Sequence, residues 1–206
     1  MLEGLPEAVG RMLRDRRAGL DRILFNRVSL RTGQAAIEVR SLAFADHAPI
    51  PLIYTADADG RSPPLQWTGV PDAATRVALV VEDADSVMPQ PLVHALVVDL
   101  PPGDMSLPDG AIDPDGELGP LLGRNSVLGT GWLPPDPPPG HGPHRYAFQV
   151  FALAGGRRHR TRPGREALLR AIRRHAIASG CLIGTYARPD GSQRSGKPSM
   201  ATPARD

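Results

Sequence analysis

The sequence predicts a β-dominated α+β domain, and three observations carry that prediction. Two runs, "RVALVVED" (Arg76–Asp83) and "VHALVVDLP" (Val93–Pro101), are apolar on both faces, as in central buried strands. A third, Arg145–Leu153, alternates with the two-residue period of a strand. One clear helical repeat comes late, at Pro163–Gly180, so strands precede a helix and no βαβ alternation develops.

In chain order, Pro6–Arg27 has helical spacing. Leu5, Val9, Met12 with Leu13, Leu20, Ile23 and Leu24 fall near one face, and the arginines lie largely opposite. Pro6 suits a first helical position, and Gly19 is placed to split the run. This basic amphipathic stretch suits a membrane surface, but packing on its own domain or on a second subunit is the expected arrangement. From Ala35 the texture changes: "AIEVRSLAF" alternates like a strand, prolines extend "APIPLIYT", and "DADGRSPPLQW" is rich in turn formers. After the two buried strands, Pro102–Pro143 reads as one long loop. In Pro163–Gly180, Leu168, Leu169, Ile172, Ala176 and Ile177 share a face, with Gly180 as the stop. "CLIGTYAR" then reads as a short strand. The expected organisation is a helical arm over 1–34, a main domain over 35–190 and a polar tail over 191–206.

Composition narrows the function classes. The 206 residues are enough for one domain with its own core, and 41% hydrophobic with 22% charged is an ordinary globular balance. The 22 glycines and 23 prolines predict rigid turns and long loops. A single cysteine, Cys181, excludes an internal disulfide framework. The N-terminal stretch lacks a signal peptide's unbroken apolar core, and no apolar run approaches a membrane span, so a cytoplasmic location is expected. Net charge is only +2, and the bases are arginines apart from Lys197. Arginine suits planar anions, although a G- and C-rich genome produces the same bias. The basic run "GGRRHRTRPGR" lacks interleaved aromatics and reads as a solvated loop, with no nucleic-acid partner expected.

The chemistry gathers at strand ends. In "DPPPGHGPHRYAFQVFAL", His144, Tyr146, Phe148 and Val150 point one way if the strand is regular. The preceding prolines and glycines freeze a loop beside that pair, as the wall of a rigid pocket or as a plain surface turn. "VVEDADSV" ends a buried strand with Asp83 and Asp85, which share a face if the strand runs that far. Aspartates there often serve a turn, yet a buried carboxylate needs partners, and His94 enters the next strand. Two carboxylates beside two histidines would hold the imidazoles cationic and fit them for an anion. The nucleophile elbow G-x-S-x-G is absent. A zinc site using His141, His144 and an aspartate lacks the helical register that supports such sites, and no glycine-rich phosphate loop opens a helix. No metal or cofactor is expected.

The set "FADHAPIPLIYTADADGRSPPLQWTGVP", "VVEDADS…LVHALVVDLP", "GRNSVLGTGWLPPDPPPGHGPHRY" and "GTYAR" resembles the phosphatidylethanolamine-binding protein family, in its bacterial Raf kinase inhibitor-like branch. The resemblance covers most of Ser41–Arg188 and leaves the arm outside. It implies a large antiparallel sheet packed with a smaller sheet, helices near the C-terminus, and a small pocket for phosphate, acetate or a phosphorylated head group. The family's D-P-D-A-P element falls on Asp83 to Val87 and its pocket histidine on His94. Its proline- and glycine-rich H-R-Y element falls on Pro137, Pro138, Gly140, Gly142, His144, Arg145 and Tyr146. Ala84, Ser86, Val87, Ala95, Trp132 and Pro134 depart from the family pattern and put ligand identity in question.

The resulting expectation is a non-enzymatic binding protein for a small anion or phospholipid head group. The ligand-binding residues are Asp83, Asp85, His94, Pro137, Pro138, Gly140, His144 and Tyr146. His94 and His144 donate, Asp83 orients them, Tyr146 adds a hydroxyl, Asp85 braces the loop, and Arg145 makes an ion pair on the opposite face. The rival readings are a regulatory protein that inhibits a kinase or protease, and a weak ester or phosphoester hydrolase with His144 as base. A homodimer is expected from the arm's apolar face and from the resemblance.

Overall fold

The computed structural model describes residues 6–28, 36–159 and 161–188. The polar tail expected over 191–206 lies outside the described residues. The helices are α1 (Glu7–Met12), α2 (Leu24–Arg27) and α3 (Arg165–His175). The strands are β1 (Glu38–Arg40), β2 (Ala48–Pro49), β3 (Leu65–Thr68), β4 (Arg76–Asp83), β5 (Leu92–Leu100), β6 (Met105–Leu107), β7 (His144–Leu153) and β8 (Ala176–Tyr186).

Two sheets form, as the resemblance implied. The larger has the order β2-β8-β7-β4-β5 and the smaller β1-β3-β6. Pairing between these strands is antiparallel except at the two-residue edge strand β2, which runs parallel to β8. β4 is buried at every position because both of its faces are covered. Val77, Leu79 and Val81 join Trp67, Leu107, Phe148 and Val150 in the core between the sheets. Ala78 and Val80 face the other way, against Leu168, Leu169 and Ile172 of α3 and Leu24 of α2. That double covering is what the unbroken apolar run encodes.

Four segments differ from the sequence expectation. The late helix stops at His175, and Ala176–Gly180 belongs to β8, paired with β7 from Leu153 to Val150. The outer edge of β7 would otherwise leave a row of backbone groups unpaired, and that ladder outweighs a few residues of helix propensity. Gly180 is therefore no helix stop. It sits inside a strand where a Cβ would lie 2.0 Å from the Ile37 carbonyl oxygen, so the close crossing of the segment at Ile37 requires glycine. "AIEVRSLAF" contracts to the three residues of β1, and "APIPLIYT" holds β2 and a 3₁₀ turn at Leu52–Tyr54. The long loop Pro102–Pro143 contains β6 and a 3₁₀ turn at Gly119–Leu121.

The N-terminal segment is not one amphipathic helix. α1 ends after six residues, Gly19 turns the chain at φ +99, and a 3₁₀ turn (Leu20–Arg22) leads into α2. Hydrogen bonds to the main domain break the helical ladder. The Ala18 and Gly19 N–H groups donate to the carbonyls of Ser86 (3.1 Å) and Ala84 (2.7 Å). The Leu24 N–H donates to Glu82 Oε2 (2.7 Å) and the Phe25 N–H to Gln149 Oε1 (2.6 Å), so two buried side chains of β4 and β7 take up first-turn donors of α2. Ile23 and Leu24 are buried in these contacts, whereas Met12, on the supposed apolar stripe, is 85% exposed. The apolar residues expected to form a dimer face are thus spent partly on the segment's own sheet.

Candidate functional site

The ends of β4 and β7 place the chemistry. Asp83 is the last residue of β4 and stands opposite Tyr146, two residues into β7, so the first residue of β7 lies beside the carboxylate. His144 Nδ1 is 2.8 Å from Asp83 Oδ2. The other ring nitrogen of His144, Nε2, is 2.7 Å from His141 Nδ1, and His141 Nε2 donates to the Leu13 carbonyl oxygen at 2.8 Å. His141 and His144 are 0% and 1% exposed.

Burial, then the neighbouring His144, lowers the proton affinity of His141 below the ordinary imidazole value. Both His144 nitrogens have partners within the protein, and its ring lines the cleft.

The N-terminal segment closes the back of this arrangement. Arg17 donates to the carbonyls of His141 (3.1 Å) and Pro143 (2.8 Å) and pairs with Asp85 (3.1 Å). Gly10 lies so close to the loop that a Cβ there would stand 1.8 Å from the Pro139 carbonyl oxygen. Asp85 is fully buried on this side. It accepts from the Arg145 backbone N–H (2.8 Å), Nε (2.7 Å) and Nη2 (2.7 Å). Burial alone would raise the Asp85 carboxyl, but the Arg145 and Arg17 hydrogen bonds outweigh it and hold the carboxyl below the ordinary 3.8. Arg145 makes the ion pair expected on the opposite face, and Asp85 braces the loop.

In front of Asp83 and His144 opens a cleft of about 210 Å³. Its polar lining includes Asp83, His94, Asp136 and His144, and its walls include Val87, Met88, Leu92, Val127, Leu133 and Pro138. The His94 ring, on β5, donates from Nδ1 to the Leu133 carbonyl oxygen at 2.6 Å. Its Nε2 is buried without a hydrogen-bond partner, and so is the Tyr146 hydroxyl. The two rings meet edge to face with centroids 5.1 Å apart, and Tyr146 stacks on His144 at 6.4 Å. Trp132 tilts against His94 at 6.2 Å and donates from Nε1 to the Tyr54 carbonyl. Burial pushes His94 below the ordinary imidazole value of 6.5, against the pull of Asp83, and pushes the Tyr146 phenol well above 10.0. At His94, desolvation thus works against the cationic state expected of the imidazoles and exceeds the pull of the nearby carboxylate.

The loop wall is held from below. Arg188 is almost fully buried and pairs with Asp57 (2.8 Å) and Asp136 (2.7 Å), and it donates to the Pro137 carbonyl (3.1 Å). Of the expected residues, Asp83, His94, Pro138 and His144 line the cleft together. Tyr146 packs between the two histidines, and Pro137 holds Arg188 through its carbonyl. Gly140, at φ +78, backs onto Glu7 and Arg11 of α1, and Asp85 faces Arg145 and Arg17. Sequence reading missed Asp136, Met88, Leu92 and Val127 in the lining and the tie from His141 to Leu13. The His-x-x-His spacing was the visible signal for the histidine pair, but it was weighed as a metal motif.

The family model for phosphatidylethanolamine-binding protein matches residues 40–187. Among solved structures, a phosphatidylethanolamine-binding protein homologue from Chlamydia trachomatis is 34% identical, with a TM-score of 0.66 over 74% of this chain and 98% of its own. YbcL of E. coli, described as a member of the mammalian PEBP family, is 26% identical, with a TM-score of 0.67 over 75% of this chain and 99% of its own. A Mycobacterium tuberculosis relative named as a lipoprotein, LppC, is 34% identical over 73% of this chain and 72% of its own length.

Proposed function

The chain belongs to the phosphatidylethanolamine-binding protein family, and on that premise we propose that it is a non-enzymatic binding protein whose cleft captures a small anion: phosphate, a phosphorylated head group or a carboxylate. One observation carries the reading. His94 Nε2 is a buried nitrogen without a partner on a ring that lines the cleft, with the equally unpartnered Tyr146 hydroxyl in the adjoining ring. A buried polar group left unmade costs about 1–3 kcal/mol, which a ligand returns on binding.

Capture works through a proton. Neutral His94 spends its one N–H on Leu133, so Nε2 accepts; an anion oxygen there requires protonation of the ring. The anion then supplies the charge that makes the imidazolium favourable, and binding takes up a proton where His94 is otherwise neutral. Asp83, Asp136, His144 and Tyr146 are the titratable groups facing that ring. The hydrolase reading is disfavoured because His144, its proposed base, has both nitrogens engaged.

No helix among the described residues is long and apolar enough to cross a membrane, and the proposed location is the cytoplasm. The test of the binding reading is calorimetric titration of phosphate, phosphoethanolamine and acetate at pH 6 and pH 8, on wild type and His94→Phe. The expected result is binding that is tighter at pH 6 and lost in the variant. Binding that is equal at both pH values, or retained in His94→Phe, overturns the mechanism.

A further inference from the structure

The charges around the cleft discriminate among anions. Its lining contains two carboxylates, Asp83 and Asp136, and no arginine or lysine. The neighbouring arginines are committed elsewhere: Arg188 to Asp57 and Asp136, and Arg145 and Arg17 to Asp85. A phosphate monoester carries about 1.5–2 negative charges at neutral pH and is ordinarily held by arginine, lysine or a nest of backbone N–H groups. Here His94 is the lining imidazole with an unpartnered nitrogen, so a second negative charge on the ligand would find no cationic partner among the described lining residues.

The walls discriminate as well. Val87, Met88, Leu92, Val127, Leu133 and Pro138 make the surround of the histidine apolar. Met88 and Val127 are 56% and 43% exposed, at the rim of the cleft. An acetate ion would leave those walls wet, whereas an acid with a short hydrocarbon body would cover them. The volume of about 210 Å³ is below the range of about 300–1,000 Å³ usual for drug-sized ligands, so the body must be small.

We propose that the natural ligand is a monocarboxylate carrying a short apolar body, with the carboxyl group on His94 and the body along Val87, Met88, Leu92 and Val127. This rests on the anion-pocket reading and narrows it. One proton accompanies the acid, as imidazolium and carboxylate or as a neutral acid donating to Nε2, so the filled cleft gains no net charge. The carboxyl group brings two oxygens to a place where His94 Nε2 and the Tyr146 hydroxyl lack partners. Two sources offer this chemistry: a free short-chain acid, and the C-terminal carboxylate of a peptide ending in an apolar residue.

The test compares hexanoate, N-acetylleucine, acetate, inorganic phosphate and phosphoethanolamine by calorimetry at pH 6, on wild type and Val127→Ala. Each buried methylene adds about fourfold to affinity, so hexanoate or N-acetylleucine should bind at least tenfold tighter than acetate. The better of the two identifies the source. Val127→Ala, at an exposed turn, trims the apolar wall without adding charge and should lower the hexanoate-to-acetate affinity ratio about threefold or more; an unchanged ratio overturns the placement of the body along this wall. Phosphate or phosphoethanolamine binding as tightly as the apolar acids overturns this assignment while leaving the anion pocket intact. Acetate equal to hexanoate removes the apolar body, and no binding by any of the five overturns both readings.

Discussion

His141 Nδ1 lies 2.7 Å from His144 Nε2, and through that contact the Asp83 carboxylate is linked to the main-chain carbonyl of Leu13. A strand end beside the cleft and a segment outside the family match are thereby joined by one line of hydrogen bonds. The line also occupies both His144 nitrogens, and in the proposed binding mode His94 is the group that meets the ligand.

Replacing His141 by Phe keeps ring volume and cuts the line at both ends. Leaving the His144 nitrogen unmet should cost about 1–3 kcal/mol. Amide hydrogen exchange over residues 13–19 should accelerate at least tenfold relative to β4. Unchanged protection there would show that Leu13 is held by packing alone.

Leu24 is 0% exposed between α3 and the large sheet, and its N–H meets Glu82. Leu24→Ala should destabilise the protein by about 2–5 kcal/mol, read as a lower midpoint in urea. Removal of residues 1–27 should be worse, since it also strips partners from buried Glu82 and Gln149. A truncated protein with the wild-type midpoint would mean that the segment is a dispensable arm.

Asp85 makes the fold sensitive to acid. Its folded carboxyl is held below the ordinary 3.8, so its contribution is complete above that value and is lost as the pH falls through the lower folded one. Asp85→Asn should cost roughly 1–3 kcal/mol at pH 7, discounted for the solvent-facing side of Arg145. The gap to wild type should narrow below pH 3.8. A constant gap from pH 7 to pH 2 would contradict this.

His94 has the same sign by another route. It folds neutral with its proton affinity below 6.5, so stability is complete above 6.5 and falls as the pH drops toward the lower folded value. A bound carboxylate reverses that loss. The rise in thermal midpoint given by 100 mM acetate should therefore be larger at about pH 5.5 than at about pH 8. An equal rise at both would separate binding from His94 protonation.

Much of the fold was legible because burial on two faces leaves an unbroken apolar run. β4 coincides with the run read from Arg76, β5 (Leu92–Leu100) lies one residue ahead of the run Val93–Pro101, and β7 begins at His144, next to the predicted Arg145. The end of α3 was misread because Ala176–Gly180 suits helix locally, and the open edge of β7 decided otherwise. Asp83, His94, Pro138 and His144 were named together from motif resemblance, and the structure gathers them around one cleft.

By itself, then, the sequence determined which strands are central, where the rigid loop stands, and which side chains meet at its end. These follow from local periodicity, from the restricted φ of proline and from motif order. Tertiary structure alone decided where Pro6–Arg27 stops being helical, which nitrogen of which histidine is free, and that the nearby arginines are paired with Asp57, Asp85 and Asp136. Those outcomes depend on partners far apart in the chain, such as Leu13 with His141 and Asp57 with Arg188, whose pairing no local pattern records.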